Sequence, residues 1–226
     1  MRTNPKNIVI IPARGGSKRL PFKNIRPLNG KPLIEYSIDY AKTHTDLVSK
    51  IVVSTDDEAI KEVALKNGVE VINRPKDLSG DHATTVSALK HVIETSNQQY
   101  DNVILLQVTN PLRPKTLLRD SLAVFLEGDY DSLMTVTRDE HKLGKINKNR
   151  FIPFNYEFGQ RSQDLEPLYF ENGLLYITKT KHIKNNLILG ENNYPMIVNH
   201  PYASVDIDTK EDFKYAQFIL ENFTNE

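Results

Sequence analysis

Residues Asn7 to Asn24 read NIVIIPARGGSKRLPFKN. The opening Asn7 to Pro12 is a continuous β-branched run without polar alternation. It predicts a strand buried on both faces, as in a parallel sheet. Ala13 to Asn24 is a polar loop holding Gly15, Gly16 and the four cations Arg14, Lys18, Arg19 and Lys23. Leaving the carboxyl end of such a strand, it sits at the edge where open α/β sheets bind ligands. The glycines let the backbone approach a ligand and turn its amides inward, and four clustered cations suit a triphosphate. The stretch contains neither GxGxxG nor GxxxxGK[ST], which argues against a dinucleotide dehydrogenase or a P-loop NTPase. The competing reading is a solvated basic turn, since charge runs usually face water.

Outward from this stretch, strands and helices alternate. Lys31 to Thr43 has helical spacing, with Pro32 near its first position. Lys50 to Ser54 is a second buried strand. Thr55 and Glu58 form a capping-box pattern that opens a helix ending at Asn67-Gly68. Val69 to Ile72 is a third strand and Arg74 to Ala83 a loop. Thr84 or Thr85 caps a helix reaching Ser96, and Asn102 to Gln107 is a fourth strand. A helix over Pro114 to Glu127 and a strand over Ser132 to Val136 follow. This order predicts a mostly parallel sheet covered on both faces. Arg138 to Asn172 then loses all periodicity, and a structureless loop of that length is unusual in a compact domain. It reads as an excursion that folds against something, such as a second subunit. Gly173 to Thr178 returns to strand, Ser204 to Asp208 is a short strand, and Thr209 to Asn222 a closing helix.

The chain has 226 residues, the size of one domain with its own core. Lys+Arg and Asp+Glu are 29 each, which argues against a general coat for nucleic acid or membrane. With no Cys, disulfides, Cys-ligated zinc and thiol catalysis are excluded. After Met1 to Asn7 the apolar run Ile8 to Ile11 is too short for a signal segment, and no run has the length of a membrane span. The expectation is a soluble cytoplasmic α/β protein.

"IIPARGGSKRLPFKNIRPLNGKPLIEYSI", "IVVSTDDEAIKEVALKNGVEVINRPKDLSGD", "LLQVTNPLR", "ENGLLYIT" and "SVDIDTKED" occur in this order across nearly the whole chain. Together they resemble the signature of the acylneuraminate cytidylyltransferases, the CMP-sialic acid synthetases and their relatives. The resemblance implies a three-layer, Rossmann-like (GT-A-like) nucleotidyltransferase over residues 1–226, with 138–172 as a protruding dimerisation element. It implies a Mg²⁺-dependent transfer of CMP from CTP to the anomeric hydroxyl of a 2-keto nine-carbon sugar acid, releasing pyrophosphate, in a homodimer. N-acylneuraminate is the default sugar. Legionaminic acid, pseudaminic acid and ketodeoxyoctonate are alternatives, and an inactive nucleotide-sugar binding protein is the alternative from another class.

The resemblance also implies roles for residues. Arg14 and Lys18 would hold the β- and γ-phosphates and Lys23 the α-phosphate. Ala13, Gly15, Gly16, Ser17 and Asn24 belong to the same nucleotide-binding loop, and Arg74 and Thr85 would meet the nucleotide. A helix start at Thr85 offers free amides, against a plain N-cap role. Gln107, Arg161, Asn172 and Tyr176 would form the sugar pocket, with Arg161 serving either its own or the neighbouring site. Strand-end hydrogen bonding competes for Gln107 and core packing for Tyr176. Asp206 and Asp208, two apart on a strand, would present both carboxylates to one face. With phosphate oxygens they make a hard-oxygen Mg²⁺ site. Alternatively Asp208 caps the last helix, with Glu211 at N3. Arg14, Lys23 and Asp208 are the expected catalytic residues. Arg113 reads as closing the Asn110-Pro111 turn, and His82 as an incidental loop residue. The Leu165-Glu166-Pro167-Leu168 stretch departs from the common pattern and bears on the sugar's N-acyl group.

Overall fold

β1 (Asn7–Pro12) lies inside a seven-stranded sheet in the computed structural model, which describes residues 5–223. The N-terminal residues 1–4, part of the reading that no leader is present, are outside the described residues, as are 224–226. After β1 come the two-residue strands β2 (Pro27–Leu28) and β3 (Lys31–Pro32), then α1 (Leu33–Lys42), β4 (Lys50–Thr55) and α2 (Glu58–Lys66). β5 (Glu70–Asn73), α3 (Thr85–Thr95), β6 (Asn102–Leu105), α4 (Leu117–Glu127) and β7 (Ser132–Asp139) follow. The chain ends through β8 (Gly144–Asn147), β9 (Arg150–Pro153), β10 (Leu168–Lys179), α5 (Thr180–Lys184), β11 (Asn193–Ile197) and α6 (Lys210–Asn222).

The sheet order is β11-β7-β10-β6-β1-β4-β5. β10 runs against its neighbours β6 and β7; the other pairings are parallel. Alternate residues of β1 feed two cores. Val9 and Ile11 pack with α1, α2, α4 and α6, whereas Ile8 and Ile10 pack with α3 and α5. This is the expected three-layer arrangement. The chain proceeds from β1 to β4 and β5, then returns to β6 on the other flank of β1. The crevice at the carboxyl ends of β1 and β6 is therefore the topological switch point.

Several local expectations are corrected. β4 continues through Thr55, which pairs with Asn73, so α2 is capped by Asp57, whose Oδ1 accepts from the Ile60 N–H at 3.0 Å. Pro32 occupies the N-cap of α1 rather than its first turn. β6 ends at Leu105, before Gln107. Ser204 to Asp208 joins no strand ladder. It is tied down singly, by the Ile207 N–H to the Thr109 carbonyl at 2.9 Å and by Asn110 Nδ2 to the Val205 carbonyl at 3.1 Å. β11 escapes sequence reading because Pro195 interrupts it; the strand is tolerated because it is an edge strand paired to β7 alone.

The excursion is a β8–β9 hairpin, a short 3-10 turn and the first residues of β10. Its lack of period has a physical cause. The hairpin does not lie on the core, both of its faces are largely exposed, and nothing selects alternation.

Candidate active site

The loop after β1 folds over the switch-point crevice. Ala13 is buried, and its N–H donates to the Ser54 carbonyl at 2.9 Å, setting the loop's departure. Gly15 donates its N–H to Asp56 Oδ1 at 3.0 Å, and a Cβ there would lie 2.6 Å from Asp57 Oδ2. The loop thus presses against the start of α2, which explains one of the two glycines. Gly16 is exposed, with open space about its Cα. The chain reverses at Phe22, whose φ is +57°, and brings Lys23 back toward the cleft.

A cleft of about 220 Å³ results, lined by Arg14, Ser17, Lys18, Lys23, Asn24, Arg74, Thr85, Gln107 and Asp208 among others. Nine residues singled out from the sequence converge here, from four separate parts of the chain. A larger hollow of about 1180 Å³, around Tyr100, Asp101 and Lys181, contains none of them and opens near the start of β6.

Buried Asn24 donates Nδ2 to the Arg14 carbonyl at 2.9 Å and so braces the loop across its mouth. Arg74 is buried and held to the end of β4, with Nε 3.1 Å from Ser54 Oγ and Nη2 2.5 Å from the Ser54 carbonyl. Burial pulls its guanidinium below the usual arginine value. The cap of α3 is Thr84, whose hydroxyl accepts from the Ser87 N–H at 3.3 Å. Thr85 is therefore free of capping duty and exposed toward the cleft.

Asp208 bridges two loop cations, Lys23 Nζ at 2.8 Å and Arg19 Nη2 at 2.6 Å. Desolvation in the cleft works to raise its pKa, but these cations hold it below the usual carboxylate range. Asp208 does not cap α6. Thr209 does, in a capping box with Asp212, so both Asp208 and Glu211 lose the alternative role. Val205 and Ile207 are buried while Asp206 and Asp208 turn outward, so the carboxylates share a side although the segment is not a strand. Desolvation pushes the Asp206 carboxyl up, the Thr109 hydroxyl opposes this, and the Asp208 charge adds to the rise.

The expected sugar-pocket residues divide. Gln107 lines the cleft. Asn172 is buried and fully engaged: Oδ1 accepts from Thr135 Oγ1 at 2.6 Å and Nδ2 donates to Thr137 Oγ1 at 3.0 Å. Tyr176 is buried, and its hydroxyl donates to Glu171 Oε2 at 3.0 Å; burial, then the Glu171 charge, raises its pKa. Arg161 lies in the excursion with its side chain 75% exposed, paired with Asp164 at 2.8 Å. It does not line the cleft of its own chain.

Sequence reasoning missed three contributors and gave a fourth, Arg19, no specific role. Asp81 pairs with both Arg14 and Lys18. Arg19, left without a role, pairs with Asp208. Asn110, taken as part of a turn, is fully buried and donates to the Asn172 carbonyl at 2.9 Å and to that of Val205. It also fills the space where a side chain on Gly173 would come within 2.9 Å of its Oδ1. Arg113 does not close its own turn but donates to Leu174, Ser37 and Gln107.

Residues 8–224 match the family model described as cytidylyltransferase. The chain is 36% identical to the pseudaminic acid cytidylyltransferase of Campylobacter jejuni subsp. jejuni serotype O:23/36, with 96% of this chain and 97% of that protein covered. It is 35% identical to the N-acylneuraminate cytidylyltransferase of Streptococcus agalactiae serotype III, covering 92% of this chain and 52% of that protein. It is 32% identical to the CMP-N,N'-diacetyllegionaminic acid synthase of Legionella pneumophila, covering 95% and 96%. Among solved structures, CMP:2-keto-3-deoxy-manno-octonic acid synthetase complexed with CTP superposes with a TM-score of 0.72 at 18% identity, covering 96% of this chain and 98% of that one, a likeness of fold. A basic loop at the switch point, a pair of outward carboxylates beside it and a family match over residues 8–224 agree: the chain belongs to the cytidylyltransferase family of nucleotidyltransferases.

Proposed function

We propose that this chain transfers CMP from CTP to the anomeric hydroxyl of a nonulosonic acid and releases pyrophosphate. The observation that carries the reading is the convergence of Arg14, Lys18, Arg19 and Lys23 with Asp208 at the crevice between β1 and β6. The sugar hydroxyl attacks the α-phosphorus, the bond to the β-phosphate breaks, and pyrophosphate departs as an anion. Such a step needs positioning and charge neutralisation rather than a covalent intermediate. Arg14 and Lys18 hold the β- and γ-phosphates, and Ser17, Gly15 and Gly16 supply the surrounding loop. Lys23, whose side chain is only 13% exposed, exchanges Asp208 for the α-phosphate. Asn24, Arg74 and Thr85 frame the nucleoside, and Gln107 faces the sugar.

Asp206 and Asp208 fit a hard divalent cation such as Mg²⁺. They are two oxygen donors on one side of a segment, with the neighbouring Asp208 charge helping to raise the Asp206 carboxyl. No cluster of three or more His, Asp or Glu suited to a metal occurs among the described residues, so phosphate oxygens would complete the shell, as Mg²⁺ prefers. When bound, the ion would supply additional neutralisation of phosphate charge.

N-acylneuraminate is the default sugar, and the names of similar proteins keep pseudaminic and legionaminic acids beside it. Asn172 and Tyr176 act as a wall held rigid by their hydrogen bonds, and Arg161 serves the neighbour's site in a homodimer. Support for that dimer comes from the excursion over 138–172, which leaves Ile146, Phe154 and Phe158 at 80%, 63% and 75% exposure. Among the described residues no helix is long and apolar enough to cross a membrane. A CTP-consuming biosynthetic role places the enzyme in the cytoplasm.

The test is pyrophosphate release with each of the four nucleoside triphosphates and a mixture of the candidate sugars. Release with CTP alone, abolished by EDTA, is expected. In the same assay Asp208→Asn should lose on the order of 100-fold in turnover with a near-normal KM for CTP. Equal use of ATP, GTP or UTP would overturn the reading.

A further inference from the structure

Every cation of the loop is already matched by an anion of the chain, and two carboxylates supply all the matches. Asp208 takes Arg19 and Lys23. Asp81 takes Arg14, at 3.3 Å, and Lys18. Asp208 has a second duty in the reaction as proposed, but Asp81 has none. It follows Gly80 in the turn before α3, its side chain is 43% exposed, and among the described residues its carboxylate has no other partner. Arg14 is further clasped to that turn through the carbonyls of Gly80 at 2.9 Å and Ser79 at 3.4 Å.

An exposed ion pair of this kind adds little to stability, so folding does not account for it. Its effect is on the loop. A carboxylate set between a guanidinium and an ammonium offers them the same kind of charged oxygen acceptor that a phosphate offers. Lys18 foremost, with Arg14, holds the Asp81 carboxyl below the usual range, so the group stays charged at neutral pH.

We propose that Asp81 is a resident counter-anion of the phosphate site, a positioning residue that holds Arg14 and Lys18 for the terminal phosphates and competes with those phosphates for them. Entry of the triphosphate displaces Asp81, and its return speeds departure of pyrophosphate. This rests on the reading that Arg14 and Lys18 take the β- and γ-phosphates.

The experiment compares wild type, Asp81→Asn, Asp81→Ser, Asp81→Glu and Arg14→Ala as the full chain with Mg²⁺. Calorimetric titrations use inorganic pyrophosphate, CTP and CMP, and are paired with steady-state kinetics. Because exposed pairs are weak, Asn or Ser should tighten pyrophosphate and CTP by about three- to tenfold. CMP, which lacks the terminal phosphates, should bind unchanged. KM for CTP should fall, kcat should fall with it, and pyrophosphate should inhibit more strongly; Asp81→Glu should restore wild-type values. Unchanged or weaker pyrophosphate binding in both Asn and Ser variants, relative to CMP, would overturn the proposal. A wild-type protein whose pyrophosphate affinity is indifferent to Arg14→Ala would instead overturn the assignment of that cation to the terminal phosphates.

Discussion

Arg113 is a buried guanidinium that faces acceptors rather than a carboxylate. It donates to the Leu174 carbonyl at 2.6 Å, Ser37 Oγ at 3.0 Å and the Gln107 carbonyl at 2.5 Å. Burial lowers its pKa to about 10, which leaves it charged at neutral pH. Its bonds join α1, β10 and the segment after β6, so it fixes the main chain from which Gln107 enters the cleft. Arg113→Leu removes the donor to the Leu174 carbonyl and leaves the Gln107 carbonyl to Ser37 Oγ at 3.2 Å, and is expected to cost about 3 kcal/mol in denaturant unfolding. A loss under about 1 kcal/mol would show that the acceptors find other partners. Placement at this scale was legible in the sequence where residue type sufficed, as for the cations of the loop at the cleft and the outward pair Asp206 and Asp208. Partnership was not. Arg19 and Asp208 are 189 positions apart, and Arg14 and Asp81 are 67 apart, so no local spacing announces either pair.

Elements are joined by single ionic contacts as well as by apolar packing. Asp131, just before β7, lies 3.0 Å from both His182 Nε2 and Lys181 Nζ, a charge contact that helps dock α5 against the sheet. A Cβ on Gly190 would lie 2.6 Å from Asp131 Cβ, so the approach of that segment requires glycine. The facing His182 ring nitrogen, then the Lys181 ammonium, holds the Asp131 carboxyl at about 2, below the 3.8 of the free group. A carboxylate lowered on folding stabilises above the unfolded pKa and ceases to do so as pH falls through the folded one. Asp131→Asn should therefore flatten the fall of Tm between about pH 4 and pH 2. A wild-type fall of undiminished steepness in the variant would remove this contact from acid unfolding. The alternating strands and helices that make up the sheet were readable because burial on both faces leaves continuous apolar runs. Two misreadings have one cause, that pairing partners decide where a strand stops. β4 extends through Thr55 because Asn73 continues the ladder, and Ser204 to Asp208 has no ladder although its apolar alternation is that of a strand.

At the scale of the molecule, the protruding arm of residues 138–172 is braced at its base. Asn155 is buried within it, its Oδ1 accepting from the Leu143 N–H at 2.8 Å and its Nδ2 donating to the His141 carbonyl at 2.9 Å. Phe151 lies over Gly144, where a Cβ would come 2.2 Å from its ring. An ordered arm with exposed aromatic and aliphatic side chains suits a partner surface. Ile146→Asp combined with Phe158→Asp should convert a dimer to a monomer of 25.9 kDa in light scattering at micromolar concentration. A wild-type protein that already scatters as a monomer would contradict the dimer. The sequence signalled this arm only by the loss of periodicity, since strands exposed on both faces carry no imprint of a core.

In the proposed reaction CTP and a nine-carbon sugar acid meet at the crevice between β1 and β6. Its most direct test is to incubate the enzyme with CTP and Mg²⁺ beside N-acetylneuraminic, pseudaminic or legionaminic acid in separate reactions, and to weigh the products by mass spectrometry. A CMP-linked sugar is expected from at least one of them, with one equivalent of pyrophosphate, and is lost on Lys23→Ala. CTP bound by the folded protein, with no CMP-linked product from any of the three, would contradict it.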